Sequence, residues 1–115
     1  MFLIGRKGVV KLMCALVRVC RLDELDFDSP YHFERDGREY MLIRKPDGVY
    51  ALDGICTHEY AELWRGFVSD ELITCPLHLS QFNIKTGEVV TPPAEQPLRV
   101  YTVQIREGEV WVDLD

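Results

Sequence analysis

At 115 residues, 47% hydrophobic and 28% charged, the chain has the size and composition of one ordinary soluble globular domain with a single core. A net charge of −6 and a pI near 5.0 exclude the basic face that nucleic-acid phosphates require. No apolar run approaches the length of a membrane-spanning helix, so no membrane partner is expected.

The first 21 residues carry five basic side chains (Arg6, Lys7, Lys11, Arg18, Arg21) and no acidic one. The remainder holds eight basic against nineteen acidic residues, a balance of −11, which serves solubility or attracts a cationic partner surface. Arg6, Lys7 and Lys11 interrupt the apolar run of Met1–Val17, and no small-residue cleavage pattern follows. Residues 1–16 therefore read as an N-terminal extension or extra strand, not a signal peptide. Cys14 and Cys20 would stand about 20 Å apart on an extended strand, too far for a disulfide, and read as buried apolar side chains.

Arg21–Leu25 can form a single helical turn, and no other stretch sustains a helical period. From there the pattern is strand and turn, with Asp36-Gly37, Asp47-Gly48, Thr86-Gly87 and Glu107-Gly108 as punctuation. Tyr40–Arg44 and Val49–Leu52 flank one of these turns and predict a hairpin. Leu72–Cys75 predicts a short strand between two loops, Gly54–Glu62 and Pro76–Gln81. Tyr101, Val103 and Ile105 alternate with Thr102, Gln104 and Arg106, and Val110, Val112 and Leu114 repeat the alternation, so each strand buries one face. The fold class is all-β, a sandwich or small barrel. Residues 52–93 read as a metal-binding lobe inserted into it.

The lobe is assigned to metal by Cys56-Thr57-His58 and Cys75-Pro76-Leu77-His78, two Cys/His pairs separated by sixteen residues. Two thiolates and two imidazoles on two loops can hold one centre between them. Mixed sulfur and nitrogen ligation leaves zinc, or an iron–sulfur cluster whose two irons differ in their ligands. With two of four cysteines committed to metal, a reducing cytoplasm is expected. His32, the third histidine, reads as a surface or hydrogen-bonding residue, and Trp64 as packed core or, if exposed, a partner contact.

Cys56-Thr57-His58, Gly66, Cys75-Pro76-Leu77-His78, Phe82, Thr86-Gly87 and Pro92-Pro93 together resemble a Rieske iron–sulfur protein. Residues 17–114 resemble in particular the small Rieske ferredoxins of bacterial aromatic-ring-hydroxylating dioxygenase systems. The resemblance implies one Rieske domain over 1–115, an antiparallel β-sandwich or barrel with a small cluster-binding lobe. It implies one 2Fe–2S cluster, Cys56 and Cys75 holding one iron and His58 and His78 the other. The implied function is to carry single electrons from a flavoprotein NAD(P)H ferredoxin reductase to a terminal Rieske oxygenase, as a cytoplasmic monomer. A nitrite-reductase small subunit and a structural Cys2His2 zinc module are the alternatives. An oxygenase of this family needs a second iron held by two histidines and a carboxylate, and only His32 would remain for it. The chain alone is therefore expected to be an electron carrier and no enzyme.

The resemblance also implies a low reduction potential, about −150 mV, because no cysteine stands beside the ligands in Glu59–Glu62 or at Leu77 to bridge the loops. Ser80 matches a hydroxyl that bonds a cluster sulfur in high-potential members; otherwise it shapes the turn. Leu79 replaces a frequent glycine, which alters the turn after His78. Leu77, Phe82, Pro92 and Pro93 are expected to keep water from the centre, with Phe82 serving equally as plain core. Glu59, Glu62 and Glu95 are expected to form an acidic surround that steers a basic partner.

Overall fold

The computed structural model describes residues 16–114, so Cys14 and all of the N-terminal extension except Leu16 lie outside the described residues. Ten strands run in order: β1 (Leu16–Arg21), β2 (Tyr31–Arg35), β3 (Arg38–Lys45), β4 (Gly48–Asp53), β5 (Phe67–Ser69), β6 (Leu72–Thr74), β7 (Gln81–Asn83), β8 (Val89–Thr91), β9 (Val100–Arg106) and β10 (Glu109–Asp113). Among the described residues the only helical elements are two single 3-10 turns. Leu22–Glu24 falls within the expected Arg21–Leu25; Leu63–Arg65 was not foreseen.

The strands form two sheets. A barrel-like six-stranded sheet has the order β1-β10-β9-β4-β3-β2, and a four-stranded sheet has the order β5-β6-β7-β8. Every strand pairing is antiparallel. Turn chemistry explains the tight registers. Asp36 (φ 52°) and Gly37 (φ 79°) lie between paired Arg35 and Arg38, both in the left-handed region that suits the twist of a two-residue hairpin. Glu107-Gly108 repeats this between Arg106 and Glu109. At the third signal the loop is Pro46–Asp47, and Gly48 already pairs with Lys45.

The β3–β4 hairpin is the wall between two cores. Met41, Ile43 and Leu52 face one core with Leu63, Ile73, Phe82, Ile84 and Leu98. Tyr40, Leu42 and Ala51 face the other with Cys20, Leu25, Tyr101, Val110 and Val112. A strand covered on both sides has no wet face, which is why Tyr40–Ile43 is a continuous apolar run. Cys20 is buried and free, as its sequence context suggested.

The alternation of β9 holds only in part. Tyr101 is buried and Val103 half-buried, but Ile105 is 45% exposed. β9 pairs β4 only at Tyr101 and Val100; beyond that its sole partner is β10, so its far end leaves the core.

Candidate metal centre

Two loops of similar construction carry the Cys/His pairs. After β4, the segment from Gly54 to Leu63 closes on itself: Ile55 bridges Glu62, the Cys56 amide donates to the Ala61 carbonyl at 3.0 Å, and the Leu63 amide donates to Gly54. After β6, the Cys75 amide donates to the Ser80 carbonyl at 2.8 Å and the Leu79 amide to the Cys75 carbonyl at 3.1 Å. Each cysteine therefore sits at a hydrogen-bonded base, and its histidine, two or three residues on, stands at the tip.

Burial follows the same gradient. Cys56 is 4% exposed and Cys75 is fully buried, and both pack into the core that contains Phe82. His58 and His78 are exposed, with ring centroids 4.9 Å apart and planes at 85°. Neither thiol is in a disulfide. Burial pushes the Cys56 thiol above its ordinary value; backbone amides of His58 and Glu59 act the other way, and the Cys75 thiol raises it further.

The residues fit a 2Fe–2S group with inner sulfur and outer nitrogen ligands. The backbone of His58 and Glu59 favours the ionised form of the Cys56 thiol, as a thiolate ligand requires. Ser80 adds an independent sign. It is fully buried, and its Oγ accepts the Ala94 amide at 2.9 Å, while its own proton meets no protein acceptor among the described residues. A buried hydroxyl proton calls for an acceptor, and a cluster sulfur supplies one. The bond to Ala94 also shows that Ser80 does more than shape a local turn, since Ala94 lies 14 residues away.

Leu79 adopts φ 62°, the left-handed conformation a glycine takes without strain, at a cost of about 1 kcal/mol. The turn after His78 thus keeps its shape with leucine bearing it, and Leu79 is 61% exposed beside Leu77 at 63%. Leu77, Pro92 and Pro93 lie on the surface, so water is excluded from the cysteines chiefly by Phe82 and its buried neighbours.

Glu62 departs from its expected role. Its carboxylate pairs with Arg65 at 2.5 Å, which offsets its charge. Trp64 is half-buried against the core and stacks on His32, whose Nε2 bonds Glu39. Two contacts carry no sequence signal: Thr57 Oγ1 donates to the Gln96 carbonyl across 39 residues, and the Glu59 carboxylate reaches His78 at 3.0 Å. Tyr60, 71% exposed at the tip, also escaped the sequence reading.

The chain is similar to known proteins in sequence and in fold. The chain is 32% identical over 93 residues to the anthranilate 1,2-dioxygenase ferredoxin subunit of Burkholderia cepacia, covering 81% of this chain and 86% of that one. Its fold superposes on the ferredoxin of carbazole 1,9a-dioxygenase from Nocardioides aromaticivorans IC177 with a TM-score of 0.82 and 37% identity, covering 87% and 98% of the two chains. A similar match, TM-score 0.82 and 32% identity over 86% and 93%, is to a chain in the complex of reduced oxygenase and oxidized ferredoxin in carbazole 1,9a-dioxygenase. The family described as the Rieske [2Fe-2S] domain matches residues 15–102. With two buried thiols behind two exposed imidazoles and that match over most of its length, the chain belongs to the Rieske [2Fe-2S] family, whose cofactor is a Rieske-type 2Fe–2S cluster.

Proposed function

We propose that this chain is the ferredoxin of a bacterial aromatic-ring dioxygenase system, accepting single electrons from a flavoprotein NAD(P)H reductase and delivering them to a terminal Rieske oxygenase. Cys56 and Cys75 hold one iron as thiolates, and His58 and His78 hold the other through a ring nitrogen. When bound, the cluster supplies reversible one-electron chemistry at a potential raised by its two neutral ligands. The observation that carries this reading is the burial gradient along each loop, thiol at the base and imidazole at the tip, which brings the redox centre to the surface. The relatives named as ferredoxin components, and the solved oxygenase–ferredoxin complex, support the same partner class.

Segment 52–93 supplies all four donors and works as the cluster-binding part of a single domain. The chain is a carrier without turnover of its own, because its remaining histidine, His32, is engaged with Trp64 and Glu39. A nitrite-reductase subunit or a zinc module is not favoured, since the donor set is complete for iron–sulfur ligation and the relatives are dioxygenase ferredoxins. The free cysteines among the described residues suit a reducing cytoplasm.

Protein purified without oxygen is expected to contain two irons and acid-labile sulfide per chain, with the visible and electron-paramagnetic-resonance spectra of a mixed-ligand cluster. His78→Ala should abolish those spectra. One zinc per chain, with no iron, would overturn the reading.

A further inference from the structure

Glu59 follows His58 in the chain, yet its carboxylate serves the other loop. Glu59 Oε2 lies 3.0 Å from Nε2 of His78, and one donor atom from each of His58, Glu59 and His78 lies within 4.8 Å of the others. Both exposed imidazoles thus face one carboxylate at the tip. A neutral imidazole has one N–H and one lone pair, and a carboxylate only accepts hydrogen bonds. A carboxylate at that nitrogen favours the tautomer with the proton on Nε2, which leaves Nδ1 of His78 with the lone pair a metal needs.

We propose that Glu59 is a positioning residue for the iron–sulfur centre. Its carboxylate stands 3.0 Å from Nε2 of His78, holds that ring with its outer nitrogen toward the charge, and lowers the reduction potential. The proposal rests on the assignment of His78 as a ligand. Metal-bound histidines gain basicity and a fixed orientation when a carboxylate accepts their outer N–H, which favours the more positive, oxidised metal. The carboxylate's charge acts in the same direction, because reduction adds negative charge beside it. At 3.0 Å the contact lies well inside the screening length of about 8 Å at physiological ionic strength, so salt weakens it little. Glu59 is also on the surface, with 58% of its side chain exposed, so substitution leaves the core untouched.

The test is the reduction potential of the purified holoprotein, with pulsed paramagnetic resonance of the coordinated nitrogens as a second readout. Glu59→Gln removes the charge and leaves only a weaker acceptor. It should make reduction several-fold to tenfold more favourable, an upward shift approaching about 59 mV for one electron. The nitrogen couplings of one histidine should change while the visible spectrum stays that of an intact cluster. Glu59→Asp, which keeps the charge on a shorter stem, should fall between the two. Glu95→Gln removes the same charge from the exposed neighbouring loop and should shift the potential much less. An unmoved potential in Glu59→Gln with an intact cluster spectrum, or an equal shift in Glu95→Gln, would overturn the positioning role and leave the ligand assignment standing. A cluster spectrum that survives in His78→Ala would overturn the ligand assignment itself.

Discussion

Ser80 is the only polar side chain fully buried among the described residues, and it joins the second ligand loop to the segment that follows β8. Its oxygen is occupied by the Ala94 amide, so its proton is the part free to reach the centre. A hydrogen bond to a cluster sulfur stabilises the reduced, more negative form. Ser80→Ala should therefore lower the potential by about 40 mV, the equivalent of one neutral hydrogen bond of about 1 kcal/mol. It should also cost about 1–3 kcal/mol of folding stability, because the Ala94 amide is left buried without an acceptor. Voltammetry and a denaturation midpoint separate the two effects. An unmoved potential with lowered stability would make Ser80 purely a tie between loops. Ser80 and Glu59 then tune in opposite senses, one from inside the loop and one from its outer edge.

At the scale of elements, the two loops depend on how closely β5 packs against β6. Gly66 ends the second 3-10 turn just before β5, and a Cβ there would lie 2.0 Å from the Thr74 carbonyl oxygen. That oxygen belongs to backbone one residue before Cys75, so it cannot swing aside. Gly66→Ala should push β5 from β6, displace Cys75, and cost about 3 kcal/mol. A lowered denaturation midpoint with less iron per chain is the expected result, and full iron at unchanged stability would refute it. Much of this architecture is legible in local sequence: Asp36-Gly37 and Glu107-Gly108 set their hairpins by dihedral preference alone, and both Cys/His pairs lie on the loops expected of them. What local pattern cannot show is what covers a strand. Nothing within β9 says that β4 leaves it after Tyr101, so Ile105 reads as buried when it is exposed. Likewise Glu62 and Glu59 look equivalent in sequence; only folding pairs one with Arg65 and the other with His78.

With His58 and His78 as the proposed outer ligands, the cluster would lie at one tip of the molecule, and that placement decides how a partner can approach. Electron transfer slows steeply with distance, so a partner must dock where His58 and His78 emerge. The surface there is apolar at its centre, with Tyr60, Leu77 and Leu79 each more than 60% exposed. The chain as a whole carries a net charge of −6, which is expected to steer a basic partner face before short-range contacts form. Redox encounters of this kind are small and transient, so speed of approach matters more than tight binding. Reduction by a cognate reductase should therefore slow by about tenfold as salt rises from low to high ionic strength. Glu62 is a poor probe of steering because Arg65 already offsets it, and Glu59 is poor because it touches His78. Glu95 is exposed and free of both complications, so Glu95→Lys should slow reduction at low salt while leaving the potential nearly unchanged. The difference from the parent protein should vanish at high salt, where the steering field is screened. Stopped-flow rates across a salt series check this, and rates indifferent to both salt and Glu95→Lys would assign docking to the apolar tip alone.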